Sequence, residues 1–291
     1  LRDELMTEAL CWQLESKVTA EYVYAARMTY EFNCYCPHEA CLARVYPKQR
    51  VNTYFYAPDR HAAGCPNEAR STESSLNPGS PKPRPADVPA RPIPTVLGPG
   101  PTIKQKSRAP TKDELLQLAA IVRALPALHP GTLEEVIDAW TRMTPSERAV
   151  QPLAVANRNL TYATAFTFLG NAPDDIGSLN VHERIVFGAA TVVELDHCYL
   201  IESRKKFQHE AKKFPLRMVL KKRNVAPDYL PELVDKKATL FWHGVAAEFD
   251  DKGNVFRAVG DSGSPYTGIL LKEGELAPWI AAASKHAPPG R

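Results

Sequence analysis

Four of the six cysteines in this chain fall between Cys34 and Cys65, and they come in two tight groups. The first holds Cys34, Cys36, His38 and Cys41; the second holds His61 and Cys65, just after Ala57-Pro58-Asp59-Arg60. An aromatic segment, Val51-Asn52-Thr53-Tyr54-Phe55-Tyr56, separates them. Two ligand knuckles joined by a hairpin is how a small domain wraps one tetrahedral Zn²⁺. Cys36-x4-Cys41 and His61-x3-Cys65 are each spaced so that one turn aims both side chains at one ion. The first-choice set is therefore a Cys3His site of Cys36, Cys41, His61 and Cys65. Cys34 competes with Cys36, since Cys34-x6-Cys41 is also feasible, and His38 is the weaker candidate. Four protein ligands leave no open position, so the expected Zn²⁺ is structural rather than hydrolytic. Free thiols, or disulfides in a secreted protein, are the alternatives.

Tyr30-Glu31-Phe32-x-Cys34-x-Cys36, then Tyr54-Phe55, then His61-x3-Cys65, resembles the N-terminal zinc-binding module of bacterial competence CoiA-like proteins. The resemblance covers roughly residues 15 to 68 and implies a zinc module of bacterial or phage origin. The nuclease-type core that follows in those proteins is not recognisable here.

At 291 residues the chain has room for one to three domains. Its net charge of +3 is too small by itself to imply nucleic acid. No apolar run reaches the length of about 18 residues that a membrane span needs. The opening residues, Leu1-Arg2-Asp3-Glu4-Leu5-Met6, lack a basic region followed by an apolar core. Unpaired cysteines without such a leader lead us to expect a reducing, cytoplasmic compartment.

Texture divides the chain further. Residues 1–70 are the zinc-ribbon-like module. Residues 71–110 carry ten prolines among Ser, Gly, Lys and Arg, which reads as an extended spacer. A proline-rich stretch can also dock a protein partner, as can a zinc module. Residues 111–180 are expected to be a small helical segment. Thr111-x-x-Glu114, Thr132-x-x-Glu135 and Thr144-Pro145-x-Glu147 are three successive capping boxes. Leu115, Leu116, Ala119, Val122 and Leu125 make one apolar face, and Leu133, Val136, Ile137 and Trp140 another. Leu153–Leu169 is ambiguous, leaning to strand.

Residues 181–275 alternate as strands, with a tail at 276–291. Expected strands are Arg184–Leu195 (bent or bulged at Gly188), His197–Glu202, Leu216–Lys221, Ala238–Phe249 and Val255–Val259, with a helical turn at Pro227–Val234. Five strands with a helix between the third and fourth resemble, over residues 184–272, the nucleic-acid-binding OB family. That resemblance implies a five-stranded β-barrel. The whole is thus expected to be a multi-domain α+β protein.

The resemblance directs attention to the middle strands. Arg204, Lys205, Lys206, Lys212, Lys213, Arg217, Lys221, Lys222 and Arg223 face a single acid, Glu210, in that stretch. Such a run attracts phosphates and releases counterions. Tyr199, Phe207, Phe214, Tyr229 and Trp242 are the candidate stacking rings. The function expected from these features is binding of nucleic acid, single strands above duplex, with little sequence preference. One alternative is a metal-dependent nuclease using Asp196, Glu202 and Lys205; another is a protein-interaction adaptor. No Gly-rich phosphate loop, Gly-x-Ser-x-Gly elbow or His-Glu-x-x-His motif is present, so no catalytic residue is assigned.

Overall fold

The computed structural model describes residues 5–68, 93–106, 108–222, 230–259 and 264–274. It is a mixed α+β structure built mostly from sheets. The chain divides into two units, Leu1–Thr95 with Gly100–Pro130, and Val96–Pro99 with Gly131–Arg291.

The first unit is a five-stranded antiparallel sheet in the order β2-β1-β3-β4-β5. Its strands are β1 (Glu8–Cys11), β2 (Ser16–Thr19), β3 (Cys34–Tyr35), β4 (Arg44–Gln49) and β5 (Thr53–Tyr56). Side chains alternate between its faces, and each face finds a helix. Ala9, Cys11, Val45 and Phe55 pack with Val23 of α1 (Ala20–Ala26), which begins where the Thr19 hydroxyl accepts from the Tyr22 N–H. Leu10 and Tyr35 pack with Leu115, Leu118, Ala119 and Val122 of α2 (Lys112–Val122), which starts at the Thr111–Glu114 capping box. Leu125 lies beyond the end of α2 and is exposed, so it is no part of the apolar face expected of it. Within the proline-rich stretch, residues 71–92 and 107 lie outside the described residues. Its later part is tied to the first unit, where Ile103 packs on the core and Lys104 and Lys106 both pair with Glu15.

The second unit holds two sheets. The smaller contains β6 (Val96–Leu97), β7 (Pro130–Gly131, where the second unit begins), β8 (Pro152–Val155) and β9 (Arg158–Thr161). β8 and β9 form a hairpin through Ala156 and Asn157, both at positive φ. Helices α3 (Leu133–Arg142), α4 (Pro145–Val150) and the single turn α5 (Tyr162–Ala165) each start at a capping box. The stretch read as one helical segment is thus shared, with α2 in the first unit and α3 to α5 in the second.

The larger sheet has eight strands: β10 (Phe166–Phe168), β11 (Ile185–Glu194), β12 (Cys198–His209), β13 (Lys212–Lys221), β14 (Lys237–His243), β15 (Glu248–Asp250), β16 (Val255–Val259) and β17 (Gly268–Glu273). Its order is β15-β16-β13-β12-β11-β14-β17, with β10 parallel to the start of β11. This corrects the expected closed five-stranded barrel. The long fourth strand breaks at Gly244, whose φ is +75°, and its second half returns as β15 against β16. With β13 on its other side, β16 has no edge left for β14. The free edge of β14 is taken instead by β17, a strand the sequence did not suggest. Gly188 makes no bulge, since the β11–β14 register runs unbroken from Val186 to Thr191. What it permits is close approach: an added Cβ would lie 2.8 Å from Leu169 side-chain atoms.

Both faces of β11 and β14 are covered. Val186, Leu240 and Trp242 face one core, together with Tyr199, Phe207 and Met218. Ile185, Phe187 and Phe241 face the other, where Trp140 of α3 stacks on Phe166 at 4.5 Å between ring centroids.

Candidate metal centre and basic ribbon

Two turns, one after the central strand β3 and one after the edge strand β5, assemble the sulfur and imidazole groups. Just past β3, the Cys36 N–H donates to the Ala43 carbonyl. The chain then reverses through His38, whose carbonyl accepts from Cys41 and Leu42, with Leu42 at positive φ. After β5, a second turn runs through Gly64 at φ +77°, and the Cys65 N–H donates to the Ala62 carbonyl. Cys36, Cys41, His61 and Cys65 thereby bring one ligand atom each within 4.8 Å of one another.

The separations suit one tetrahedral ion. Zn–S bonds of about 2.3 Å and Zn–N bonds of about 2.0 Å place sulfur pairs about 3.8 Å apart and sulfur–nitrogen pairs about 3.5 Å apart. The Cys36 and Cys65 sulfurs are 3.8 Å apart, and His61 Nδ1 is 3.3 Å from Cys41 Sγ and 3.8 Å from Cys65 Sγ. N–H groups point at the sulfurs: Ala62 at Cys41 (3.3 Å), Asn67 backbone at Cys65 (3.4 Å) and Asn67 Nδ2 at Cys36 (3.3 Å). Donors of this kind stabilise thiolate ligands and fix their direction. Burial pushes the Cys36 thiol up to about 12 and raises Cys65 as well. Thiolates at such a site are favourable only with a cation among them. Burial also lowers His61, which favours the neutral ring that a metal requires. The group can therefore hold a metal ion such as zinc. Asn67 escaped the sequence reading; its one signal is its place two residues after the closing cysteine.

Cys34 is not a member of the group, which corrects its candidacy. It sits in β3 directly opposite Cys11 of β1 and is 1% exposed. Its thiol is held well above the usual range, first by its bond with Cys11 and then by burial. His38 also stays outside.

Most of the candidate nucleic-acid residues lie on β12 and β13, but they divide by partner. Lys205 and Lys213 both pair with Asp174. Arg217 Nε donates to Glu202 at 2.7 Å, and Lys222 reaches Glu194 at 2.6 Å. Arg204, Lys206, Lys212 and Lys221 are exposed and have no ion pair among the described residues. Arg223 and Tyr229 lie outside the described residues. The stacking roles of Tyr199 and Trp242 are corrected: they are 5% and 1% exposed and belong to the core beneath the sheet. Trp242 faces inward on a strand covered on both sides, and its Nε1 donates to the Val245 carbonyl at 2.7 Å. Tyr199 has the Lys222 ammonium over its ring at 5.2 Å.

Glu202 is engaged by Arg217 and Lys205 by Asp174. Neither Glu202 nor Asp196 joins a cluster of three metal-ligating side chains among the described residues. In those residues no helix is long and apolar enough to cross a membrane. No protein-family model, curated protein or solved structure matches the chain.

Proposed function

We propose that this is a nucleic-acid-binding protein whose first unit is held by a structural Zn²⁺ and whose second unit captures single-stranded nucleic acid on the β12–β13 hairpin. The observation that carries the reading is the set of four exposed cations on one antiparallel ribbon, Arg204, Lys206, Lys212 and Lys221, which have no carboxylate partner among the described residues. Lys206 stands opposite Pro215 and so shares the outer face with Lys221, about 20 Å apart at about 3.4 Å per residue, a length suited to tracking a phosphate backbone, and Lys212 follows beside the hairpin turn. Further support comes from the strand connections. The meander β11-β12-β13, the parallel pairing of β16 with β13 and the antiparallel pairing of β14 with β11 are those of an OB-like sheet opened at β16. The four ligands in the first unit complete a tetrahedron, so its metal would supply folding energy and no reaction.

Capture on this ribbon is electrostatic, because Tyr199 and Phe207 are buried and Phe214 packs against Phe249. Fluorescence anisotropy with a labelled single strand across a salt series tests it. Four neutralised phosphates give a slope of log K against log salt of about −3. The double change Lys206→Glu, Lys212→Glu should flatten that slope by about half. A slope unchanged by the substitutions would remove the ribbon from the binding surface.

A further inference from the structure

The first unit carries a second surface of complementary chemistry. In β4, Val45 and Pro47 turn toward Phe55 and the core, so the alternate positions Arg44, Tyr46 and Lys48 share the opposite face. On β5, Tyr54 stands opposite Lys48 and Tyr56 opposite Tyr46. The resulting face alternates rings and cations. Tyr46 and Tyr56 lie 6.1 Å apart between centroids, tilted by 40°. The Arg44 guanidinium lies 5.1 Å from the Tyr46 ring, and the Lys48 ammonium 5.3 Å from the Tyr56 ring. Tyr56 is 41% exposed, while Tyr46 and Tyr54 are half-buried. Arg50 follows at the tip of the hairpin, exposed. None of Arg44, Lys48 and Arg50 has an acid within ion-pair distance among the described residues; Arg44 donates to the Asn33 side-chain oxygen at 2.7 Å.

A tyrosine exposed on a strand needs a reason, and Tyr56, with half-buried Tyr46 and Tyr54 on the same face and three cations beside them that have no acid partner among the described residues, has a chemical one. Rings supply flat faces for unpaired bases, and cations between them meet the phosphates. Duplex DNA keeps its bases stacked inside and offers the rings nothing, so the occupant is a single strand. We infer that the outer face of the β4–β5 hairpin is a base-stacking site for single-stranded nucleic acid, with Tyr46, Tyr54 and Tyr56 as platforms and Arg44, Lys48 and Arg50 as phosphate contacts. This rests on the nucleic-acid reading above and supplies the stacking that the β12–β13 ribbon lacks. The hairpin is anchored at both ends by metal-site turns, since β4 follows Cys41 and β5 leads to His61. That anchoring keeps the rings in place before binding, so less ordering entropy opposes it.

The test uses the full chain, with labelled oligo(dT) of twenty bases and a duplex of equal length. The variant Tyr46→Ala, Tyr56→Ala should raise the Kd for the single strand at least fivefold for each ring that stacks, with little change in salt slope. Tyr46→Phe, Tyr56→Phe keeps the rings and should bind like the parent, which separates lost stacking from lost folding. Lys48→Glu, Arg50→Glu should weaken binding and flatten the salt slope. Ultraviolet cross-linking followed by peptide mapping should mark Tyr54 or Tyr56. Parent-like affinity in the alanine variant, with zinc content intact, would overturn this site while leaving the ribbon reading to its own substitutions. Equal affinity for duplex and single strand would overturn the stacking mode. Failure of the parent to bind either oligonucleotide at low salt would overturn both readings. Loss of binding in the tyrosine variant, with Lys206→Glu, Lys212→Glu unaffected, would uphold this site and dismiss the ribbon.

Discussion

Cys34 and Cys36 stand two positions apart and end in different chemistry. Cys34 is still inside β3, where the ladder sets it against Cys11. Cys36 has left the strand, and its sulfur is free to meet Cys65. Substitution separates them. Cys36→Ser should lose stoichiometric zinc, whereas Cys34→Ser should keep about one zinc per chain and lose about 1–3 kcal/mol from a mispaired buried hydroxyl. Elemental analysis with urea denaturation of both variants checks this; equal loss of zinc from both would return Cys34 to the ligand set. The same contrast of position governs Trp242 and Tyr199. Residue type marked each as a candidate platform, but a covered sheet face turned both into core. On β4 and β5 of the first unit, alternation instead points Tyr46, Tyr54 and Tyr56 away from the core beneath α1.

At the scale of elements, local signals held where local physics decides. All three Thr-x-x-Glu boxes start helices, with the Thr hydroxyl accepting an N–H and the Glu accepting from the cap in each. The expected strands overlap β11 to β16, but β12 runs on to His209 and β13 begins at Lys212, and one break altered the ladder. Gly244 holds a left-handed conformation, and a Cβ there would lie 2.5 Å from Thr267 Cγ2. Gly244→Ala combines that clash with backbone strain and should cost about 1–3 kcal/mol. Thermal denaturation should show a lowered midpoint; an unchanged midpoint would mean that β14 and β15 do not depend on this break.

For the whole molecule, metal removal is the informative perturbation. The four candidate ligands are carried by the turns after β3 and β5, so a bound metal would close loops only within the first unit. Treatment with a strong chelator should raise amide hydrogen exchange in β3, β4 and β5 and leave β11 to β14 protected. Unchanged protection in the first unit would mean that its two helices and sheet suffice without metal.

The ligand set, the helix starts and the basic run were legible in the residues because each depends on groups close along the chain. A knuckle needs ligands a turn apart, a capping box spans four residues, and charge density is local by definition. Three things needed the tertiary structure. The sharing of the helical stretch between two units follows from which apolar face each helix finds. The open eight-stranded sheet follows from competition for strand edges, in which β15 and β13 occupy β16 before β14 can. The value of each cation and ring follows from its neighbours. Asp174 neutralises two lysines from outside the basic run, and α3 covers a sheet face that strand alternation alone leaves open. Residue type set what each side chain could do, and the long-range contacts of the fold decided which of them remain free to do it.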